Sequence, residues 1–73
     1  ELPVDLLTGL PEALASRVLR TWLLRVGVDE PGHVHLQAVW ALVADWRGQR
    51  GIDLPGGLRI SRRNGHLVAN PLT

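Results

Sequence analysis

Two short turn signals, Pro55-Gly56-Gly57 and Asn64-Gly65, constrain the fold of this chain more than any other feature of its sequence. Each turn lies between short runs in which apolar and polar residues alternate. That pattern is typical of antiparallel strands joined by tight hairpins. The stretch 52–69 is therefore predicted to form a meander of three short antiparallel strands.

The two turns also predict the register of this sheet. The two-residue turn pairs Arg63 with His66, and the three-residue turn pairs Asp53 with Arg59. Because side chains alternate across a strand, one face is apolar and the other is polar. The residues predicted to face inward are Ile52, Leu54, Leu58, Ile60, Leu67 and Ala69. Those predicted to face outward are Arg59, Ser61, Arg63, His66 and Val68. Arg62 belongs to the inner side but lies near the hairpin tip, where we expect it to reach solvent.

The chain before the sheet has two stretches with helical periodicity, 11–26 and 33–47, which end before Gly27 and Gly48. The apolar stripe of the first contains Leu14, Val18, Leu19, Trp22, Leu23 and Val26. The stripe of the second contains Leu36, Val39, Trp40, Val43 and Trp46. All three tryptophans are thus predicted to pack in the core. A six-residue connection makes the two helices neighbours.

The predicted fold is α+β, with two amphipathic helices packed on a small antiparallel three-stranded meander. Residues 1–10 form a leading segment with a short helical turn, 11–47 the helical pair and 52–69 the sheet. At 73 residues the chain has room for one domain, 1–73. It begins at Glu1 and not at methionine, so we expect a fragment of a longer chain.

Composition excludes several classes of protein. The absence of cysteine excludes disulfides and cysteine metal sites, and it fits a reducing, cytoplasmic location. No apolar run approaches the roughly 20 residues that cross a bilayer, so no membrane association is expected.

Charge is distributed unevenly along the chain. Residues 1–46 contain three arginines and six acidic residues, a net charge of −3, whereas residues 47–73 contain five arginines and one acidic residue, a net charge of +4. All eight basic residues are arginine, whose planar guanidinium suits phosphates and base edges. This asymmetry predicts an anionic partner on the C-terminal side.

The best functional candidates are the cationic residues of that side, predicted to bind nucleic acid: Arg47, Arg50, Arg59, Arg62, Arg63 and His66. One alternative is a solvated sheet face on which Asp53 neutralises Arg59. A second is a winged-helix-like DNA-binding domain with residues 33–47 as the recognition helix. A third is a packing or dimerisation module whose arginines only solvate the surface, and in the dimerisation case the chain would form a homodimer.

No catalytic constellation is visible, because the chain lacks a phosphate loop, a dinucleotide fingerprint and a nucleophile elbow. His33 and His35 are two residues apart and would point to different sides of a helix, which argues against a metal site. The first glycine-rich turn could offer N–H groups to a phosphate, but a plain turn is the simpler interpretation.

Several of these segments together resemble one family. The quoted segments are Leu10-Pro11-Glu12-Ala13-Leu14, Arg17-Val18-Leu19-Arg20-Thr21-Trp22-Leu23, Ala41-Leu42-Val43, Trp46-Arg47-Gly48-Gln49 and the closing stretch from Asp53 to Leu67. Over residues ~10–69 the chain resembles the C-terminal, substrate-binding region of bacterial tRNA(Ile)-lysidine synthase. The most specific part is Trp-Arg-Gly-Gln followed by Leu-Pro-Gly-Gly and a basic strand.

The resemblance implies a function in tRNA modification. The family uses ATP, with magnesium, and lysine to convert the wobble cytidine of the CAU-anticodon isoleucine tRNA into lysidine. Its chemistry belongs to an N-terminal domain with a Ser-Gly-Gly-x-Asp-Ser signature, which is absent here. The resemblance therefore implies a recognition part with no active site or cofactor of its own, whose partners are isoleucine tRNA and the enzyme's own catalytic domain.

Overall fold

A computed structural model describes residues 1–72 of the chain. Its strands are β1 (Leu2–Pro3), β2 (Ile52–Leu54), β3 (Leu58–Arg63) and β4 (His66–Pro71). Its helices are α1 (Val4–Thr8), α2 (Glu12–Arg25) and α3 (His33–Ala44). The predicted α+β class is confirmed. Among residues 1–72, no helix is both long enough and apolar enough to span a lipid bilayer.

The sheet has four strands, in the order β1-β4-β3-β2, where the sequence predicted three. The additional strand β1 pairs Leu2 with Leu67, and the Val4 N–H donates to the Gly65 carbonyl at 2.8 Å. Two residues, one of them proline, are too few to show strand periodicity, so the sequence pattern did not reveal this edge.

The predicted register of the meander is confirmed. Arg63 lies opposite His66, and Asp53 lies opposite Arg59. Asn64 and Gly65 have φ angles of 52° and 76°. Positive φ at both central residues is what a type I′ hairpin requires, and its twist matches that of the paired strands.

Helix α2 ends as its sequence predicts, at a glycine. The Val28 N–H donates to the Leu23 carbonyl at 2.9 Å, and the Gly27 N–H donates to the Leu24 carbonyl at 3.2 Å. These are the two hydrogen bonds of a Schellman motif, which requires the φ of +106° that Gly27 adopts. Val28 is almost fully buried, so the chain re-enters the core directly after this motif.

Helix α3 is shorter than predicted. It ends at Ala44, not at residue 47, because Asp45 leaves the helical conformation with φ −133° and ψ 49°. Trp46 and Arg47 therefore lie in the loop that leads to β2. The prediction that Gly48 terminates the helix was wrong; Gly48 instead takes a φ of +80° within that loop.

The core lies between the inner face of the sheet and the three helices. Its largest fully buried side chains are Leu7, Leu19, Leu23, Leu42, Ile60, Leu67, Val28 and Val39. Two predicted core positions were wrong. Leu14 is 48% exposed while its neighbour Ala15 is buried, and Trp46 is 39% exposed. Trp22 and Trp40 are half-buried and pack against the core.

Candidate nucleic-acid interface

The C-terminus of α3 is satisfied by side chains from later in the chain. Arg62 Nη1 donates to the Leu42 carbonyl at 3.1 Å and lies 3.5 Å from the Val43 carbonyl oxygen. Gln49 Nε2 donates to the Asp45 carbonyl at 3.1 Å. A helix leaves its last carbonyls without internal partners, and a cation there also meets the negative end of the helix dipole. Arg62 thus joins α3 to β3 of the sheet, and Gln49 holds the first residue after the helix.

Gln49 also fixes the loop that follows α3. Its Oε1 accepts a hydrogen bond from the Arg47 backbone N–H at 2.7 Å, while its Nε2 holds Asp45. The side chain therefore closes the loop across Trp46-Arg47-Gly48. This accounts physically for the Trp-Arg-Gly-Gln pattern in the sequence.

Trp46 of this loop contacts Arg62 of strand β3. The Arg62 guanidinium carbon lies over the indole ring, 5.3 Å from its centroid, within the range of a cation–π interaction. Arg62 is half-buried, as expected for a residue on the inner side of the sheet near the hairpin tip. Its guanidinium is shared between helix carbonyls and an aromatic ring.

The Trp46–Arg62 contact brings the loop to the end of the sheet that carries the Asn64-Gly65 turn. Arg63 adjoins that turn and is exposed. The antiparallel register, continued back from the Ile52–Ile60 pair, also brings Arg50 toward the level of Arg62. We call this group the basic end, and it consists of Trp46, Arg47, Arg50, Arg62 and Arg63.

Arg59 lies farther along the outer face of the sheet and is paired with an acid. Its Nε donates to Asp53 Oδ1 at 2.6 Å, and its Nη2 donates to Oδ2 at 3.4 Å. The hydrogen bond from Arg59 and its positive charge lower the pKa of the Asp53 carboxyl below its usual range, and Asp53 correspondingly raises the pKa of Arg59. The alternative interpretation from the sequence, in which Asp53 neutralises Arg59, therefore applies to this residue.

The other candidate cations differ in their partners. Arg47 Nε lies 3.2 Å from Asp45 Oδ1, and both side chains are largely exposed. His66 Nδ1 lies 3.0 Å from the Asn64 carbonyl oxygen. Within residues 1–72, Arg50 and Arg63 form no ion pair at 4.0 Å or less. Both are exposed, whereas Arg62, which also lacks an acidic partner in this range, is half-buried and engaged with the α3 carbonyls and Trp46.

Two other polar features lie outside the basic end. A cleft of about 350 Å³ between α2 and α3 is lined by residues that include Glu12, His33 and Trp40. His35 Nδ1 accepts a hydrogen bond from the Gly32 N–H at 3.3 Å, at the start of α3. In the part of the chain that the structure describes, no three His, Cys, Asp or Glu residues come together as metal ligands would.

Sequence reasoning missed two members of this region. Trp46 was assigned to the core, because it continues the helical stripe of α3 in sequence. Gln49 was quoted only as part of the Trp-Arg-Gly-Gln resemblance and was given no structural role, since that role depends on backbone groups that a sequence pattern does not identify. The available signal was Gly48, which lies between them. Because glycine disfavours the helical conformation, a helix can end before the last apolar residue that precedes the glycine.

Comparison with known proteins assigns the chain to a family. A family model described as the TilS substrate binding domain matches residues 2–68. The tRNA(Ile)-lysidine synthase of Rhodococcus erythropolis is 44% identical over 73 residues, covering 93% of this chain and 22% of the relative. That of Salinispora arenicola is 48% identical over 65 residues, covering 85% of this chain and 19% of the relative. That of Mycobacterium tuberculosis is 40% identical over 73 residues, covering 93% of this chain and 23% of the relative.

The chain spans about a fifth of the length of these curated relatives. No solved structure matches it with comparable significance. The family match nevertheless covers nearly all of the chain, including both helices α2 and α3, the Trp-Arg-Gly-Gln loop and the sheet as far as Val68. This chain therefore belongs to the TilS substrate binding domain family.

Proposed function

We propose that this chain is a tRNA-binding, non-catalytic recognition domain of a tRNA(Ile)-lysidine synthase. In this proposal residues 1–73 form one domain of a longer enzyme. The proposal is supported by the name that the relatives carry and by the description of the matched family. It is also supported by the excess of arginine over acidic residues from residue 47 onward.

The chemistry of the whole enzyme would lie outside this chain. The longer protein would use ATP with magnesium to ligate lysine to the wobble cytidine of isoleucine tRNA with a CAU anticodon. This domain would hold the tRNA so that its anticodon loop reaches the catalytic domain. Linked domains gain affinity through effective concentration, so modest binding by this domain alone would be sufficient.

The observation that carries the proposal is the exposure of Arg50 and Arg63 without an acidic partner in the described part of the chain. An arginine free of a local carboxylate can donate two parallel hydrogen bonds to a phosphate. These two residues would make the principal backbone contacts, with His66 beside Arg63. RNA helices are recognised mainly by shape and by phosphate and ribose contacts, which suits such a surface.

The two arginines that form ion pairs would contribute less to tRNA binding than Arg50 and Arg63. Arg59 and Arg47 are held by Asp53 and Asp45 in exposed ion pairs, which are weak in water. A phosphate could therefore compete with either carboxylate. Arg62 would act differently, because its guanidinium is engaged with α3 and Trp46. We assign it the role of shaping the basic end.

The test is the salt dependence of tRNA binding by this chain. The substitutions are Arg50→Ala, Arg63→Ala and the double variant, with unmodified CAU-anticodon isoleucine tRNA and an unrelated tRNA as ligands. Each phosphate contact that is lost should lower the slope of log affinity against log salt by roughly one unit. Arg17→Ala removes an exposed arginine of α2 and is the matched control, with an unchanged slope. An unchanged slope in the double variant would contradict the proposal.

The DNA-binding alternative gains little from the observed geometry. Helix α3 contains no arginine or lysine, and its exposed residues include His33, Val34 and Gln37. A recognition helix usually combines base contacts with cationic contacts to phosphates. Competition distinguishes the two functions, since an excess of duplex DNA should displace tRNA only if DNA is the true ligand.

A further inference from the structure

We propose that Trp46 is a stacking platform for an unpaired nucleotide of the bound RNA. This inference rests on the proposed function and adds a second kind of contact to it. The arginines would bind phosphates, whereas Trp46 would bind the flat face of a base.

The first argument is the position of Trp46. Trp46 is 39% exposed, whereas Trp22 and Trp40 pack against the core. Burying a large apolar side chain stabilises a fold by about 1.5–3 kcal/mol, and Trp46 forgoes part of that gain. An aromatic ring held partly open to solvent has an apolar surface available for a ligand.

The second argument is that the ring is held in place. The loop around Trp46 is closed by the Gln49 side chain, through 2.7 Å and 3.1 Å hydrogen bonds to Arg47 and Asp45. The Arg62 guanidinium lies over the ring and is itself fixed by its 3.1 Å hydrogen bond to the Leu42 carbonyl. A ring that is ordered before binding loses little conformational entropy when a ligand stacks on it.

The third argument is the chemistry of the surroundings. Arg62 lies over the ring, and the exposed Arg47 adjoins Trp46 in the chain. A nucleotide offers both a flat aromatic base and a phosphate, so it matches an exposed aromatic residue with arginines next to it. Bases in loops and bulges of RNA are unstacked and are commonly bound on aromatic side chains. Paired bases in a duplex keep their faces covered by their neighbours.

The experiment compares a single-stranded RNA with a blunt RNA duplex. The single strand has about eight nucleotides, within the range that such binding surfaces cover. Trp46→Leu is expected to weaken binding of the single strand roughly 5- to 150-fold, the effect of losing one base–aromatic stack. Duplex binding and the salt slope should be unchanged. Trp46→Phe keeps a smaller ring and should retain part of the affinity. Leu6→Ala, at a position 49% exposed on α1, is the matched control.

Tryptophan fluorescence gives a second readout that does not depend on tRNA. Quenching by the single strand should occur in the native chain and be reduced in Trp46→Phe, although Trp22 and Trp40 remain. Thermal melting without RNA verifies that each variant is folded. If Trp46→Leu does not fold, Trp46→Phe and the quenching decide the question.

The possible outcomes separate this inference from the proposed function. If tRNA binds but the Trp46 variants bind RNA like the native chain, with unaltered quenching, the stacking inference is overturned and tRNA binding stands. If tRNA does not bind but the single strand quenches Trp46, stacking stands and the proposed function fails. If neither RNA binds at low salt, both are rejected.

Discussion

Arg62 shows how one side chain can satisfy several needs of a small fold. It contacts the backbone of α3 some 20 residues earlier in the sequence, and it also lies over Trp46. The carbonyls that it reaches would otherwise lack partners at the end of a helix. Its charge therefore stabilises the junction between α3 and the sheet.

Arg62→Ala is expected to lower the free energy of unfolding by about 1.5–3 kcal/mol, the usual contribution of a hydrogen bond to a charged group. Urea denaturation measures this as a lower midpoint at an unchanged slope. Arg63→Ala, next to it in sequence but exposed, is the control and should change stability by less than about 0.5 kcal/mol. Equal effects of the two substitutions would show that the contacts to α3 contribute nothing.

Gly51 plays a comparable role at the scale of an element, because it allows the chain to enter β2. Its φ is +143°, and a Cβ at this position would lie 2.9 Å from the Ile60 carbonyl oxygen and 3.1 Å from Arg59 Cγ. A side chain would therefore collide with the backbone of β3 and with the stem of Arg59. Glycine lets β2 approach closely enough for the Asp53–Arg59 pair to form.

Gly51→Ala is expected to destabilise the fold by about 2–4 kcal/mol, from an unfavourable φ combined with overpacking. Gly48→Ala is the matched control, because Gly48 also has a positive φ, +80°, but no atom within 4 Å of the added Cβ. That change should cost only about 1–2 kcal/mol, the conformational penalty alone. Thermal or urea unfolding of both variants gives the comparison, and equal losses would exclude the steric explanation.

Arginine is found on both the helices and the sheet of the molecule. Helix α2 carries three exposed arginines and Glu12, whereas the five arginines from residue 47 onward lie in β3 and in the loop before β2. Two of those arginines are locally neutralised by Asp45 and Asp53. The cationic surface is therefore smaller than the sequence count indicates, and its extent can be changed by removing a carboxylate.

Asp53→Asn should release Arg59 and strengthen tRNA binding about fivefold at low salt, because the freed guanidinium can then attract a phosphate. Glu12→Gln changes the net charge equally but on α2, where screening should leave binding nearly unaltered. Salt titrations of both variants measure the difference. Equal affinities in the two variants would mean that the outer sheet face does not touch the RNA.

The Asp53–Arg59 pair also predicts that the stability of the fold depends on pH. Because Arg59 lowers the pKa of folded Asp53, the pair stabilises the fold above the unfolded pKa of that carboxyl. This contribution is lost as the pH falls through the folded pKa. The pair is exposed, so the acid-induced loss is small, and Asp53→Asn should remove it from a series of melting curves in acid.

The sequence by itself determined the local structure of this protein. The Asn64-Gly65 turn and the alternation around it dictated the register of β3 and β4, because a two-residue hairpin admits one pairing and alternation admits one inward face. Gly27 dictated the end of α2, because few other residues adopt its φ. The resemblance of the Trp-Arg-Gly-Gln and Leu-Pro-Gly-Gly segments likewise indicated the family without the tertiary structure.

Only the tertiary structure decided which charges are free and where Trp46 lies. The helical stripe continues through Trp46 in sequence, but the helix ends at Ala44, where Arg62 donates to the Leu42 carbonyl and Gln49 donates to the carbonyl of Asp45 just beyond the helix. Strand β1 exists because Leu2 meets Leu67 across the fold. Such contacts join residues that are distant in sequence, and their partners include backbone groups that every residue possesses. No local pattern distinguishes them, and so the shape of the basic end depends on the folded chain.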